Sequence, residues 1–394
     1  MTPSPSGFRA AATHAGLKPS GKDDMALVVS DAPCHAAGVF TTNRVKAAPV
    51  IYDQSILSSP SRTVHGVVIN AGNANACTGD QGLADARRMA QETAERVGCL
   101  PDEILVMSTG VIGVNMPMDK ISAGIETLAQ SLRADGWDAA SQAIMTTDTK
   151  PKLAASSASG YNLIGMAKGA GMIAPNLATM LSVVVTDADV SNEILADALH
   201  QAANASFNRV VIDGDMSTND SLLLLANGAS GVKVSAGDAA FLGALTDVCA
   251  QLARMIARDG EGVTKFVTLH VTGAPDHEAA RTVAHAIATS PLCKTAFYGG
   301  DPNWGRIVAA AGRSGIPVEP EKMALWLLDA SGEVSAQLFA KGGGCDYDEP
   351  AAIALMKTPE WGLRLDLGLG GAAETVWTCD LSHDYVTING HYRT

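Results

Sequence analysis

The strand-like runs of this chain are apolar at consecutive positions, not only at alternate ones, and this pattern restricts the fold more than any other feature. LSVVVTD at 181–187 is the clearest case, and further β-rich runs lie at 26–30, 64–70, 104–108, 209–213, 266–271 and 323–328. A strand that is apolar on both faces has to be covered on both. The covering elements are legible between the runs. Leu83, Ala86, Ala90, Ala94 and Val97 recur at spacings of three and four, as do Ile194, Ala198, Ala202 and Ala205. The expected class is α/β, with layered sheets sandwiched by helices. The 39 glycines, set against only 5% aromatic residues, suit close backbone approaches and short strand-to-helix turns.

At 394 residues and 47% hydrophobic content the chain can bury a core large enough for two or three domains. Repeats, low-complexity segments and a linker rich in Pro, Gly and Ser are all missing. The one late discontinuity is KGGG at 341–344. Strand-like runs at 362–368, 375–381 and 385–389 beyond it suggest a smaller C-terminal unit, 345–394.

A formal net charge of −13, with no run of Lys and Arg to offset it, argues against nucleic acid and anionic membranes as partners. The seven cysteines are scattered, with no CxxC pair and no metal-ligand spacing, and read as reduced core thiols. MTPSPSGFRA at the N-terminus lacks the pattern of a signal peptide, and apolar runs such as 221–227 are far too short for a membrane span. The expected location is the cytoplasm.

Chemistry concentrates in KGAGMIAPNLATMLSVVVTD at 168–187, where a Gly- and Pro-containing loop runs straight into a strand. Thr179 sits at the junction, after Ala178. By default a threonine there is only a β-former. A hydroxyl is a weak nucleophile, but a threonine at a chain terminus carries its own base, because its free α-amine titrates near ~8. To reach that state the chain must cut itself before Thr179, and strain around 175–178 would assist.

This junction resembles the self-cleavage site of the ornithine acetyltransferase family, and the resemblance covers essentially the whole chain. In order, the matching segments begin with GFRAAATHAGLK (7–18), AAGVFTTNRVKAAPV (36–50), INAGNANACTG (69–79), STGVIG (108–113) and AIMTTDTKPK (143–152). After the Thr179 segment come IDGDMSTND (212–220), RDGEGVTK (258–265) and GGDPNWGRI (299–307).

The resemblance implies a glutamate N-acetyltransferase that moves acetyl from N-acetylornithine to glutamate through an acetyl ester on Thr179. It implies a first chain 1–178, a second chain 179–394, and a heterotetramer of two copies of each. The implied fold is related to that of the N-terminal nucleophile hydrolases but distinct from it. Carried across, Thr109 and Gly110 match the oxyanion hole, and Thr146, Lys168, Thr179, Glu261, Asn389 and Thr394 match substrate contacts. No cofactor is implied, and acetyl-CoA stays open as a second acetyl donor. INGHYRT at the C-terminus departs from the usual pattern by placing Gly390 and His391 after Asn389.

Each role has a plainer reading. STGVIG is by default a strand-to-helix turn, and Lys168 and Glu261 are by default solvated charges, although their glycine neighbours let a ligand approach the backbone. Asp213, Asp215 and Asp220 do not make a calcium loop, since Thr218 stands where glycine is required, and no metal is expected. GMAKGAGM at 165–172 fits neither nucleotide-phosphate pattern, HExxH and GxSxG are missing, and Trp304 reads as a packing residue. The rival functions are a self-processed aminopeptidase or amidase, and an uncut binding protein.

Overall fold

The computed structural model describes residues 4–59, 62–174 and 180–391. Two compact units emerge. One runs through 208 and resumes at 215–256; the other takes 209–214 and 257–391.

The first unit holds β1 (Phe8–Thr13), β2 (Met25–Phe40), β3 (Val64–Asn73), β4 (Ile104–Val111), β5 (Lys152–Ala158), β6 (Tyr161–Lys168) and β7 (Leu181–Thr186). After β8 (Val210–Val211), which belongs to the second unit, β9 (Ser221–Ala226) completes the sheet. The strand order is β4-β3-β2-β9-β7-β6-β5, with β1 also paired to β2. Both faces are buried, as the consecutive apolar residues require. Ala26 and Val28 of β2, Val67 and Ile69 of β3, and Leu105 and Met107 of β4 join one core with Trp137 and Ile144. Their neighbours Met25, Leu27, Val68, Ile104 and Val106 join another with Met89, Ala90, Ile121 and Leu128.

The helix Ala239–Arg258 is by length and composition apolar enough to cross a membrane, longer than the runs noted in the sequence. Its residues Leu245, Val248 and Leu252 are fully buried. A Cβ built on Gly165 of β6 would lie 3.0 Å from Val248 and Leu252, so the helix packs on the sheet as a core element.

The second unit is a sheet ordered β13-β12-β11-β14-β10-β15-β8. Its strands are β10 (Phe266–Ala274), β11 (Ala324–Leu328), β12 (Val334–Ala340), β13 (Gly343–Gly344), β14 (Glu360–Asp366) and β15 (Ala372–Cys379), with β8 at one edge. Here alternate residues are buried. Val267, Leu269 and Val271, with Trp361, Leu363 and Leu365, pack under the helices His277–Ala288 and Trp304–Gly312. The sandwich expected from the sequence therefore holds for the first sheet, whereas in the second the helical core lies on one face. Trp304 is a packing residue: it stacks on Phe339 with centroids 5.4 Å apart.

Three local expectations change. The run 385–389 is helical, inside His383–His391, a helix with no buried residue. Its β-forming side chains have no sheet to join, and Asn389 Nδ2 bonds back to the Tyr385 carbonyl one turn earlier, at 3.0 Å. The run 209–213 contributes only Val210–Val211, after a 3-10 turn at Phe207–Arg209. The segment 345–394 is not a unit of its own, because β14 lies between β11 and β10 while β15 pairs with β10. Trp361, 1% exposed and edge-on to Phe297, anchors that core. Trp361→Ala is expected to cost about 3–5 kcal/mol, read as a lower urea midpoint with unchanged slope.

Candidate active site

Thr109 and Gly110 lie next to the end of β4, before its last residue Val111. Gly110 lies at φ +134, and a Cβ there would sit 2.3 Å from Gly72 C and 2.5 Å from Asn73 N, so only glycine fits. The β3–β4 register breaks at this point, where Asn73 faces both Thr109 and Val111. The next helix, Met118–Gln130, starts well beyond. STGVIG is thus a bulged strand end and not the strand-to-helix turn expected of it, so any oxyanion donors here are backbone groups of the bulge.

Lys168 ends β6 opposite Leu181 of β7. It is 3% exposed, and its Nζ donates to Thr109 Oγ1 at 3.2 Å. The expectation of a solvated charge fails because an enclosed carboxylate, Asp148, balances it. Asp148 Oδ1 accepts from Lys152 Nζ at 2.6 Å and from the Gly169 N–H at 2.7 Å, while Oδ2 accepts from the Thr146 N–H at 3.1 Å. Burial would raise the Asp148 carboxyl, but the charges of Lys168 and Lys152 and the Gly169 amide outweigh it and hold it at about 2. One carboxylate therefore ties Thr146 to the end of β6.

Lys18 belongs to the same electrostatic neighbourhood. Its Nζ donates to the carbonyls of Asp23 at 2.8 Å and Ala143 at 2.7 Å. Burial lowers it to about 8, with Lys168 adding to the shift and Asp24 and Asp148 opposing it. Asn219 spans the sheet end: its Nδ2 donates to the carbonyls of Ala74 at 2.7 Å and Ser108 at 2.8 Å. Beside it, Asp220 is fully buried, and Oδ1 accepts the Met180 N–H at 3.1 Å. Burial raises the Asp220 carboxyl well above its ordinary range, against the Met180 amide, Thr41 and Lys168.

Within the second unit, Glu261 is 8% exposed, and its Oε2 accepts from Asn389 Nδ2 at 2.7 Å. Gly262 has φ +69, and a Cβ there would meet the Tyr385 nitrogen at 2.5 Å, so the DGEG turn seats directly on the C-terminal helix. Asp213 pairs with the Tyr385 hydroxyl at 3.3 Å. Among the described residues no group of three His, Cys, Asp or Glu side chains is placed to hold a metal.

Of the residues singled out in the sequence, Thr109, Gly110, Thr146 and Lys168 converge in the first unit, and Glu261 and Asn389 meet in the second. Ala178, Thr179 and Thr394 lie outside the described residues. Sequence reasoning passed over Asp148 and Lys18 and dismissed Asp220 with the calcium loop. Their only signal was membership of the segments TTDTK, GLK and STND, which carry the family resemblance.

A family model described as the ArgJ family matches residues 9–394. An arginine biosynthesis bifunctional protein ArgJ of Geobacter sulfurreducens is 48% identical, the alignment covering 98% of this chain and 99% of that one. A mitochondrial protein of the same description from Neurospora crassa is 45% identical, over 99% and 89%. Among solved structures, the ornithine acetyltransferase of Mycobacterium tuberculosis, complexed with ornithine, is 38% identical with a TM-score of 0.39. It covers 45% of this chain and 94% of its own.

Proposed function

The chain belongs to the ArgJ family, and from that membership we propose the following reaction for it. It is a glutamate N-acetyltransferase of arginine biosynthesis that takes acetyl from N-acetylornithine and gives it to glutamate. One observation carries the assignment to these residues: Lys168 and Thr109, far apart in sequence, are hydrogen-bonded at the end of the sheet, where Lys168 faces Leu181, the second residue after Thr179.

In the proposed cycle the chain has cut itself between Ala178 and Thr179. The Thr179 hydroxyl attacks the acetyl carbonyl and passes its proton to its own α-amine. The tetrahedral oxyanion is held by backbone N–H groups at Thr109 and Gly110. As the carbon–nitrogen bond breaks, the amine returns the proton to ornithine, leaving an acetyl ester on Thr179. The glutamate amine then attacks this ester, and Thr179 is restored. Lys168 and Thr146 serve the carboxylate that both substrates share, and Thr394 belongs to the same substrate set. We further propose a cytoplasmic heterotetramer of two first chains and two second chains, with acetyl-CoA as a second donor to be tested.

Glu261 suits the ornithine ammonium but would repel the glutamate side chain. Glu261→Gln is therefore expected to slow acetylation of the enzyme by N-acetylornithine about tenfold, and transfer to glutamate by less than about threefold. Single-turnover rates of each half-reaction decide it, with product analysis for N-acetylglutamate against free acetate. Equal losses would move Glu261 from side-chain recognition to a role beside the nucleophile. Acetate as the main product would favour the hydrolase reading.

A further inference from the structure

A nucleophile that uses its own α-amine as base has a difficulty before it matures: in the uncut chain that amine is still a peptide nitrogen. The first cut therefore needs another group to move a proton from the attacking oxygen to the departing nitrogen. Among the described residues, Lys168, Asp148 and Asp220 stand at the sheet end beside β7, and Lys18, coupled to Lys168, is occupied by the carbonyls of Asp23 and Ala143. Lys168 is a cation already donating to Thr109. Asp148 is saturated by Lys152, Gly169 and Thr146 and held ionised, too weak a base for the task.

Asp220 differs from both. Its Oδ1 is bonded to the N–H of Met180, the residue joined to Thr179 through that very nitrogen. Its Oδ2 is buried and has no hydrogen-bond partner among the described residues. The nearby Thr41 hydroxyl gives its proton to the Ser217 carbonyl at 2.7 Å. The peptide unit that follows Asp220 is held at both of its polar atoms, Thr41 N–H bonding to the Asp220 carbonyl at 2.9 Å and Ser221 N–H to the Met180 carbonyl at 3.1 Å, and the Met180 N–H holds the carboxyl itself. A buried carboxyl oxygen left unpaired is costly, and such a cost at a reacting centre points to a use.

We propose that Asp220 carries the proton in the self-cleavage step, an inference resting on Thr179 as the nucleophile. The free carboxyl oxygen takes the Thr179 hydroxyl proton as that oxygen bonds to the Ala178 carbonyl carbon. The carboxyl then returns the proton to the Thr179 nitrogen as the carbon–nitrogen bond breaks. The product is an ester, which water splits into the Ala178 carboxylate and the Thr179 hydroxyl. Burial raises the proton affinity of the Asp220 carboxyl above that of an ordinary carboxylate, so it is a stronger base than Asp148, which its cationic neighbours hold down.

The test is pulse-labelled cell-free synthesis of the full chain, with the soluble fraction sampled over time on denaturing gels and the new N-terminus sequenced. Asp220→Asn keeps the shape and an acceptor for Met180 N–H, and is expected to cut about a hundredfold more slowly than the natural chain. In Asp220→Ala, formate is expected to accelerate cutting and chloride is not, a rescue that a purely structural role would not produce. If the natural chain cuts and Asp220→Asn cuts within threefold of it, the proposal is overturned while Thr179 stands. If the natural chain yields no N-terminus at Thr179, both fall. Should Asp220→Asn be insoluble, formate decides, and its failure to accelerate cutting overturns the proposal.

Discussion

Thr179→Ala is expected to give a single chain of 394 residues with acetyl transfer reduced at least about a thousandfold, the largest effect of any single substitution in this protein. Two losses coincide. Without the hydroxyl nothing attacks the Ala178 carbonyl, so the α-amine that would act as base is never released. Without the same hydroxyl no acetyl ester forms even if the chain were cut by other means. The natural protein should instead give a second chain starting at Thr179, of 216 residues, since 394 less 178 is 216. Thr179→Ser keeps a hydroxyl and should cut and transfer, more slowly. Intact mass and N-terminal sequencing read the cut, and trapping with N-acetylornithine reads the ester as a mass gain on the peptide that begins at Thr179. An active sample made only of uncut chain would refute the assignment.

The second large effect is expected at Lys168→Met, which keeps length and removes charge. Removing one partner of a buried, hydrogen-bonded charge costs about 2–5 kcal/mol, equivalent to about thirtyfold to a few thousandfold, and both half-reactions should fall by about a hundredfold to a thousandfold. Stability should fall too, by about 2–3 kcal/mol, below the usual cost of breaking a buried pair because Lys152 still faces Asp148. The acid limb gives the direction. The folded-state pKa of Asp148 is depressed, so its contribution is present above the ordinary carboxylate pKa of about 4 and lost as pH falls through about 2. Without Lys168 the folded value moves up, the contribution shrinks, and acid unfolding starts at a higher pH. Circular dichroism during acid titration checks this. An unchanged acid midpoint with both half-reactions intact would remove Lys168 from the site.

The parts of the fold readable from sequence are those where burial leaves a local trace. The runs 64–70 and 104–108 became β3 and β4 because consecutive apolar residues reflect cover on both faces. The run 385–389 misled because Tyr385, Val386 and Ile388 favour strands while the helix they form buries nothing. At the site, Thr109 and Lys168 were named by resemblance, but that Lys168 is enclosed follows from Asp148, twenty residues earlier, and no local pattern encodes that pairing. Asp220 looked like one acid in a polar loop. Only the pairing of β7 with β9 brings its carboxyl to the Met180 amide.

Strand order has a further consequence for the proposed cut. A cut between 178 and 179 leaves β1 to β6 on one piece and β7 and β9 on the other, yet in the sheet β9 pairs with β2 and β7 pairs with β6. The second piece is thus threaded into the middle of the first, with six register pairs on each side, His35–Phe40 against β9 and Leu163–Lys168 against β7. Interleaving of this kind forms within one molecule when the chain folds before it is cut, and requires two pieces to meet when it folds afterwards. Unfolding the cut protein therefore turns a unimolecular equilibrium into a bimolecular one, in which the recovered fraction depends on concentration and falls on dilution. The uncut Thr179→Ala chain should refold independently of dilution, so the proposed cut would exchange unimolecular refolding for a catalytic terminus.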